Sequence, residues 1–388
     1  MKILSLLFKT GLGILAALIV MEISLHVIAS TQAGKVFPVI EPQLGQPDKD
    51  IGFALSPHKK ALWPRENRAF ISTNSDGLRD REYTKEKDAG VFRVALSGDS
   101  VAEALQVENH FVFEHLAESK FRYGGKDVEI INFAMSGNGP LRQLVRLEKF
   151  APALQPDMIV MLMSAGDFLT KELLDDSANP AYQIKEGGAI ARSYGFRTRL
   201  SQRYADKPIG KAFMFLIHNS NLFRLFWQKR DRAFLDILGL NIAAPKPART
   251  KPDQCKSSEI QPLYDFWVER TWPENWQVTQ HYFKEIAAFA QGKPVVIGFY
   301  LPLIEDQNCQ QEIQKRDAII SVIQDITSAN GLVFVDWNHK ASTHMDNGSS
   351  INSLRGFGIS YGTGHLNYTG HEIYADVLYQ AIMSYTNN

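Results

Sequence analysis

The sequence predicts an α/β fold, a mostly parallel sheet flanked by helices, with an apolar N-terminal transmembrane helix and a helical insertion. Three observations predict it. Short strand-like runs alternate with longer stretches of helical spacing, the order of a parallel sheet covered by helices. One run, Met158-Ile-Val-Met-Leu-Met163, is apolar throughout, as a strand buried on both faces would be. Polar clusters directly follow three of the strands, where open α/β sheets build their sites.

The 388 residues suffice for one large α/β domain with insertions, or for two domains, and 45% hydrophobic content supports a sizeable core. The 42 basic and 42 acidic side chains balance to zero formal charge, so nothing draws the whole chain toward nucleic acid. No internal repeat or low-complexity tract occurs.

Residues 1–30 are unlike the rest. Lys2 and Lys9 precede an uncharged, mostly apolar run from Thr10 to Met21, and the stretch stays largely apolar to Ile28 despite Glu22 and His26. Spanning a bilayer takes roughly 20 apolar residues. The segment therefore reads as a membrane anchor. The basic start favours a cytoplasmic N-terminus and an extracytoplasmic main domain, periplasmic in a Gram-negative cell. A cleaved signal is the alternative, with Thr31-Gln-Ala33 as a weak small-residue site. Glu22 is tolerable near the outer end, where it reaches the interface.

Residues 31–90 read as an irregular lead-in containing several prolines, with a turn at Asn74-Ser-Asp-Gly77. The main domain is expected over 91–388. Its first strand is Val91–Leu96, followed by a helix over Val101–Lys120. A second strand covers Val128–Phe133, a helix Leu141–Phe150 and a third strand Met158–Met163. The region 170–275 breaks the rhythm and reads as an insertion or cap. It holds a basic, aromatic-rich helical stretch over Phe213–Leu238, with Lys229–Arg232 as a solvated face, and a polar link over Ala243–Lys256. Alternation then resumes with helix 276–290, strand Pro294–Tyr300, helix 311–329 and strand Leu332–Val335. A last helix runs over Gly370–Tyr385, with Thr369 and Glu372 spaced as a capping box.

Cys255 and Cys309 are the only cysteines, and outside the cytoplasm they can form a disulfide, although the sequence does not set their separation. No CxxC and no His/Cys spacing reads as a zinc site, so no metal or cofactor is expected.

Ser100, in Gly98-Asp-Ser100, follows the first strand at the start of a helix. That position exposes a hydroxyl beside backbone N–H groups, suited to an acyl-transfer nucleophile with an oxyanion hole. By itself the tripeptide equally suits a helix cap. Gly137 and Gly139 follow the second strand, where a glycine lets backbone approach a ligand, or merely makes a turn. His365, in Gly364-His-Leu-Asn-Tyr-Thr-Gly-His371, can take a serine proton at neutral pH. His371 competes, but falls in the first turn of the last helix.

Together these pieces resemble the SGNH/GDSL hydrolases over most of residues 70–388 outside the insertion. Gly98-Asp-Ser100 looks like the nucleophile block, and Asn132–Gly137 is similar to the second block, whose glycine donates to the oxyanion. Pro156-Asp157 with Ala165-Gly-Asp-Phe168 looks like the third, and Gly364-His-Leu-Asn367 with Gly370-His371 like the histidine block. Thr73–Arg79 is similar to a segment of membrane-anchored bacterial members. The resemblance implies an extracytoplasmic serine esterase or acyltransferase-like protein. It would act on O-acetyl or other O-acyl esters of carbohydrate or an envelope polymer, or on another ester. Ser100 would be nucleophile, His365 base, and the N–H groups of Ser100 and Gly137 the oxyanion hole, with Asp99, Asn138 and Asp336 as supporting candidates. The chain departs from the family twice. Gly166 stands where the third block has an asparagine, and an ionised Asp167 would repel an oxyanion in its place. Gly362 and Thr363 stand where the histidine block carries an aspartate, for which Asp336 is the candidate substitute. These gaps leave a second reading open: a non-catalytic glycan-binding or assembly module with a degenerate hydrolase site.

Overall fold

The structure is a computed structural model that describes residues 2–31, 42–198, 206–227 and 255–386. Helix α1 (Lys2–Ser30) is the apolar N-terminal segment, and within it Ser5–Ser30 is long and apolar enough to cross a membrane. Most of its large apolar side chains are exposed.

The lead-in, expected to be irregular, contains two antiparallel hairpins instead. Strand β1 (Gly45–Asp48) pairs with β2 (Gly52–Leu55), and β3 (Lys60–Trp63) with β4 (Ala69–Ser72). These strands have only four residues each, too short for alternation to stand out among the prolines. Asn74 then builds the anticipated turn, its side-chain oxygen accepting from the N–H groups of Asp76 and Leu78, with Gly77 at φ +72°.

The central sheet has five parallel strands: β5 (Phe92–Ser97), β6 (Val128–Asn132), β7 (Met158–Ser164), β10 (Val295–Tyr300) and β11 (Val333–Asp336). Their spatial order is β6-β5-β7-β10-β11. Strand β7, apolar from Met158 to Met163, lies in the middle. Ile159, Met161 and Met163 enter one core; Met158, Val160 and Leu162 enter the other, through the two-residue period of a strand.

The expected helix over Val101–Lys120 is divided. A single turn, α2 (Ser100–Glu103), ends at Ala104, which is left-handed at φ +55°. A 3₁₀ turn over Asn109–Phe111 precedes α3 (Phe113–Tyr123). Helix α4 (Pro140–Phe150) follows β6. The insertion is not wholly helical: β8 (Ala181–Ile184) and β9 (Ile190–Ser193) form a hairpin. It continues with α5 (Pro208–Asn219), a helical stretch over 221–227 and α6 (Ser257–Trp267). Lys229–Arg232 and most of the polar link lie outside the described residues. Helices α7 (Pro273–Ala290) and α8 (Gln310–Ser328) flank β10. Cys255 and Cys309 are disulfide-bonded, joining the start of α6 to the start of α8. Helix α9 (Trp337–Ser342) leads to α10 (Tyr368–Met383). The expected capping box does not form there. Asn367 caps α10, its side chain accepting from the Gly370 N–H at 2.9 Å.

A buried ionic knot fastens the lead-in to the sheet. Asp80 accepts from the backbone N–H of Asn132, and His115 on α3 sits 3.2 Å from both the Asp80 and Glu118 carboxylates. Burial alone would lower the pKa of this imidazole, but its bonds to Asp80 and Glu118 prevail and raise it to about 11. Because the folded value lies above the ordinary one near 6.5, this stabilisation is complete below about pH 6.5 and is lost as pH rises through about 11. His115→Gln is therefore expected to lower unfolding free energy by about 3 kcal/mol at pH 6. The difference from wild type should narrow toward pH 11, as read by urea unfolding at several pH values. A pH-independent difference would show that the charge is not what stabilises.

Candidate active site

The site lies beyond the carboxyl ends of β5, β6 and β7. Ser100 opens α2 directly after β5. The turn needs glycine at position 98, because a Cβ there would come 2.7 Å from the Ala102 Cβ. Asp99 caps the turn, its carboxylate accepting from the Val101 N–H at 2.8 Å. It supports Ser100 by shaping the backbone, and burial raises its pKa.

His365 arrives from the far end of the chain, on a loop tied down at several points. Its carbonyl accepts from the Gly356 N–H at 2.8 Å, and the Arg355 guanidinium donates to the Gly364 carbonyl at 3.0 Å. Its Nε2 stands 2.8 Å from the Ser100 Oγ. Ser100 and His365 are thus brought together.

The carboxylate facing the other side of His365 is one the sequence did not reveal. Glu66, in the turn between β3 and β4, places Oε1 2.5 Å from His365 Nδ1, and its Oε2 accepts from the His365 backbone N–H at 2.9 Å. The carboxylate can only accept, so the ring proton resides on Nδ1 and Nε2 is left to accept from the Ser100 hydroxyl. Glu66 has φ +62°, a conformation uncommon for a residue with a side chain and one that recurs at functional sites. The turn is held by Asn67, whose side chain donates to the Gln106 carbonyl at 2.9 Å and the Tyr368 hydroxyl at 3.3 Å. Gly364, at φ +84°, leaves room for the carboxylate; a Cβ there would lie 2.5 Å from Glu66 Oε2. Glu66 is 299 positions from His365, in Trp63-Pro-Arg-Glu-Asn-Arg68, and no spacing within the chain connects the two.

Asp336, the sequence candidate for this role, is engaged elsewhere. Its carboxylate binds Arg316 at 2.5 Å and caps α9 at the His339 N–H. It braces β11 against α8 and is not the partner of His365. His371 is also excluded as the base: it is buried against Phe113, and burial, reinforced by Arg79 and His365, lowers its pKa to about 3.

Gly137, at φ +71°, keeps the left-handed turn after β6 open toward the cleft, where an added Cβ would meet nothing within 4 Å. Among the described residues, neither its N–H nor that of Ser100 has a hydrogen-bond acceptor. Asn138 is buried with its side-chain amide unpartnered among the described residues, while its carbonyl accepts from Gln143. Gly166 offers no side chain, and its N–H bonds to Ser164 Oγ. Asp167 turns back to accept from the Ser164 N–H at 3.1 Å, and burial, with Asp99 nearby, pushes its pKa up to about 7. It closes a capping box and is not an oxyanion donor.

Asn132, in the second block, holds the floor of the site. Its amide donates to the Ala102 carbonyl and to Glu114, joining β6 to the turn that carries Ser100. Ser100 and His365 open into a cavity of about 580 Å³ whose wall includes Phe53, Leu55, Trp63 and Gly137. A second cavity, about 650 Å³, adjoins the Gly362–Gly364 loop and reaches Asp99, Gly166 and Arg355. Both hairpins of the lead-in line the first cavity, so the segment expected to be mere approach chain forms part of the site.

The blocks that resemble the SGNH/GDSL hydrolases in sequence thus converge, apart from Pro156-Asp157 at the opposite end of β7, at one end of a sheet with the order second-first-third-fourth-fifth. No family model matches the chain, and no curated protein matches it. Among solved structures, the chain is similar to TesA, at 11% identity and a TM-score of 0.37 over 75% of this chain and 98% of the other. It is also similar to a lipase/acylhydrolase from Enterococcus faecalis, at 13% identity and a TM-score of 0.36 over 76% and 96%. A third similar structure is a catalytic mutant of an acetylxylan esterase from Geobacillus stearothermophilus, at 12% identity and a TM-score of 0.36 over 77% and 96%.

Proposed function

We propose that this chain is a serine esterase or acyltransferase-like enzyme, held at the outer face of a membrane by α1. The observation that carries the reading is the continuous hydrogen-bonded line from Ser100 Oγ through His365 to Glu66. Ser100 attacks the acyl carbonyl as its proton passes to His365 Nε2, and Glu66 stabilises the imidazolium that forms. The oxyanion of the tetrahedral intermediate is received by the N–H groups of Ser100 and Gly137. When the intermediate collapses, His365 protonates the departing alcohol and leaves an acyl-serine. Water then attacks in hydrolysis, or a second alcohol in transfer, again giving its proton to His365.

The cleft favours a polyhydroxylated substrate, hence an O-acetyl or other O-acyl ester of carbohydrate or an envelope polymer. Trp63 presents an aromatic wall, and the polar residues Gln43, Arg65 and Gln106 line the cleft beside it. The Cys255–Cys309 disulfide accords with an oxidising compartment, and Lys2 and Lys9 accord with a cytoplasmic start to α1. A binding module with a retired site is less well supported, because the carboxylate missing from positions 362 and 363 is replaced by Glu66.

The test is p-nitrophenyl acetate turnover by detergent-solubilised full chain, with fluorophosphonate labelling mapped by peptide mass spectrometry. The label is expected on Ser100, with release of fluoride, together with loss of turnover. A folded chain that neither turns over the ester nor takes the label would sink the enzyme reading.

A further inference from the structure

The apolar anchor does not stand alone. About two turns before its outer end, α1 carries Glu22, and this carboxylate is bound by the insertion. Its Oε1 accepts from the Asn221 N–H at 2.7 Å, and its Oε2 from the Leu222 N–H at 2.9 Å and the Ser220 hydroxyl at 2.8 Å. These three donors sit at the junction between α5 and the helical stretch 221–227. A carboxylate at such a depth is costly unless its oxygens are satisfied, and here they are satisfied by two backbone N–H groups and one hydroxyl of the insertion.

The two helical pieces form a hairpin packed through Phe213, Phe223 and Trp227, with ring centroids 4.7–6.4 Å apart. Outside that cluster, Ile209, Phe215, Leu216 and Phe226 remain exposed, with Phe215 at 66% and Phe226 at 68%. A water-facing hairpin has no reason to leave such a surface uncovered. The hairpin that carries this surface is joined, through Glu22, to a helix that is itself apolar and exposed. On the other side, His218 lies 3.4 Å from the Ser56 hydroxyl, next to the cleft residue Leu55. The hairpin therefore links the anchor to the rim of the cleft.

We propose that residues 208–227 are a second membrane element, embedded at the outer boundary of the bilayer beside α1, with the lipid hydrocarbon covering Phe215, Phe226 and their neighbours. The inference rests on the anchor reading of α1. Amphipathic helical elements bind membranes by burying such a face at the headgroup boundary, and here the Glu22 contact fixes the depth. The hairpin turns the Leu55 side of the cleft toward the bilayer, where an ester presented at the membrane surface would enter.

The experiment uses the full chain in phosphatidylethanolamine–phosphatidylglycerol vesicles, with the native disulfide intact. One cysteine at a time is introduced and spin-labelled: Leu12→Cys, Phe215→Cys, Phe226→Cys, and Tyr123→Cys as a water-facing reference that is 97% exposed. Collisional accessibility to oxygen, which concentrates in lipid, is compared with accessibility to a water-soluble nickel chelate. Positions 12, 215 and 226 are expected to favour oxygen, and position 123 the chelate. If 215 and 226 match position 123 while 12 stays in lipid, the hairpin proposal is overturned and the anchor stands. If position 12 also favours the chelate, the anchor reading fails and takes the proposal with it.

Discussion

A Glu66→Gln variant is expected to lose about 10⁴-fold in p-nitrophenyl acetate turnover, with the fold intact. The reason is the ring tautomer rather than charge alone. Glu66 Oε2 accepts from the His365 backbone N–H, and a glutamine would keep that bond through its one oxygen. Its NH₂ would then face Nδ1, where Glu66 Oε1 stands at 2.5 Å. An NH₂ there requires a bare Nδ1, which moves the ring proton to Nε2 and leaves no acceptor for the Ser100 hydroxyl 2.8 Å away. The imidazolium formed during acyl transfer would lose its counter-charge as well. Asp336→Asn provides the contrast. That carboxylate binds Arg316 and caps α9, so its loss should lower stability and leave turnover per folded molecule unchanged. Should Asp336→Asn be the inactive variant and Glu66→Gln the active one, the assignment of Glu66 would be wrong.

The same contrast marks how far the sequence could be read. The parallel sheet was legible because its inner strands are buried on both faces and appear as apolar runs such as Met158–Met163. Ser100 and His365 were legible because each lies at a junction between regular elements, where the chemistry depends on local backbone. Glu66 depends on nothing local. It reaches His365 because two four-residue strands fold back and Asn67 fastens their turn to Gln106 and Tyr368, contacts that no periodicity encodes. The lead-in therefore looked irregular while supplying a side chain and two walls of the cleft. The division of the expected 101–120 helix has a similar cause. Its apolar spacing continues through the break, while Ala104 takes a left-handed conformation that its residue type does not announce. The hairpin seated on Glu22 was likewise hidden, since a contact spanning about 200 positions leaves no trace in composition.

Ser100→Ala should have the largest effect, about 10⁶-fold in kcat, because it removes the atom that bonds to the acyl group. The more informative measurement is the double variant Ser100→Ala/Glu66→Gln. Were the two residues independent, the losses would multiply. In the hydrogen-bonded line found here, Glu66 acts only through His365, and His365 acts on the Ser100 proton. With the hydroxyl gone, there is no proton for the imidazole to take from residue 100, and orienting the ring gains nothing. The double variant should therefore be no slower than Ser100→Ala alone, and both should keep whatever modest acceleration the Ser100 and Gly137 backbone N–H groups give to attack by water. The cycle is read from kcat/KM of wild type, both single variants and the double variant. A double variant slower again by the full Glu66→Gln factor would mean that Glu66 works on the substrate by a route that does not pass through Ser100, and the catalytic line drawn here would have to be abandoned.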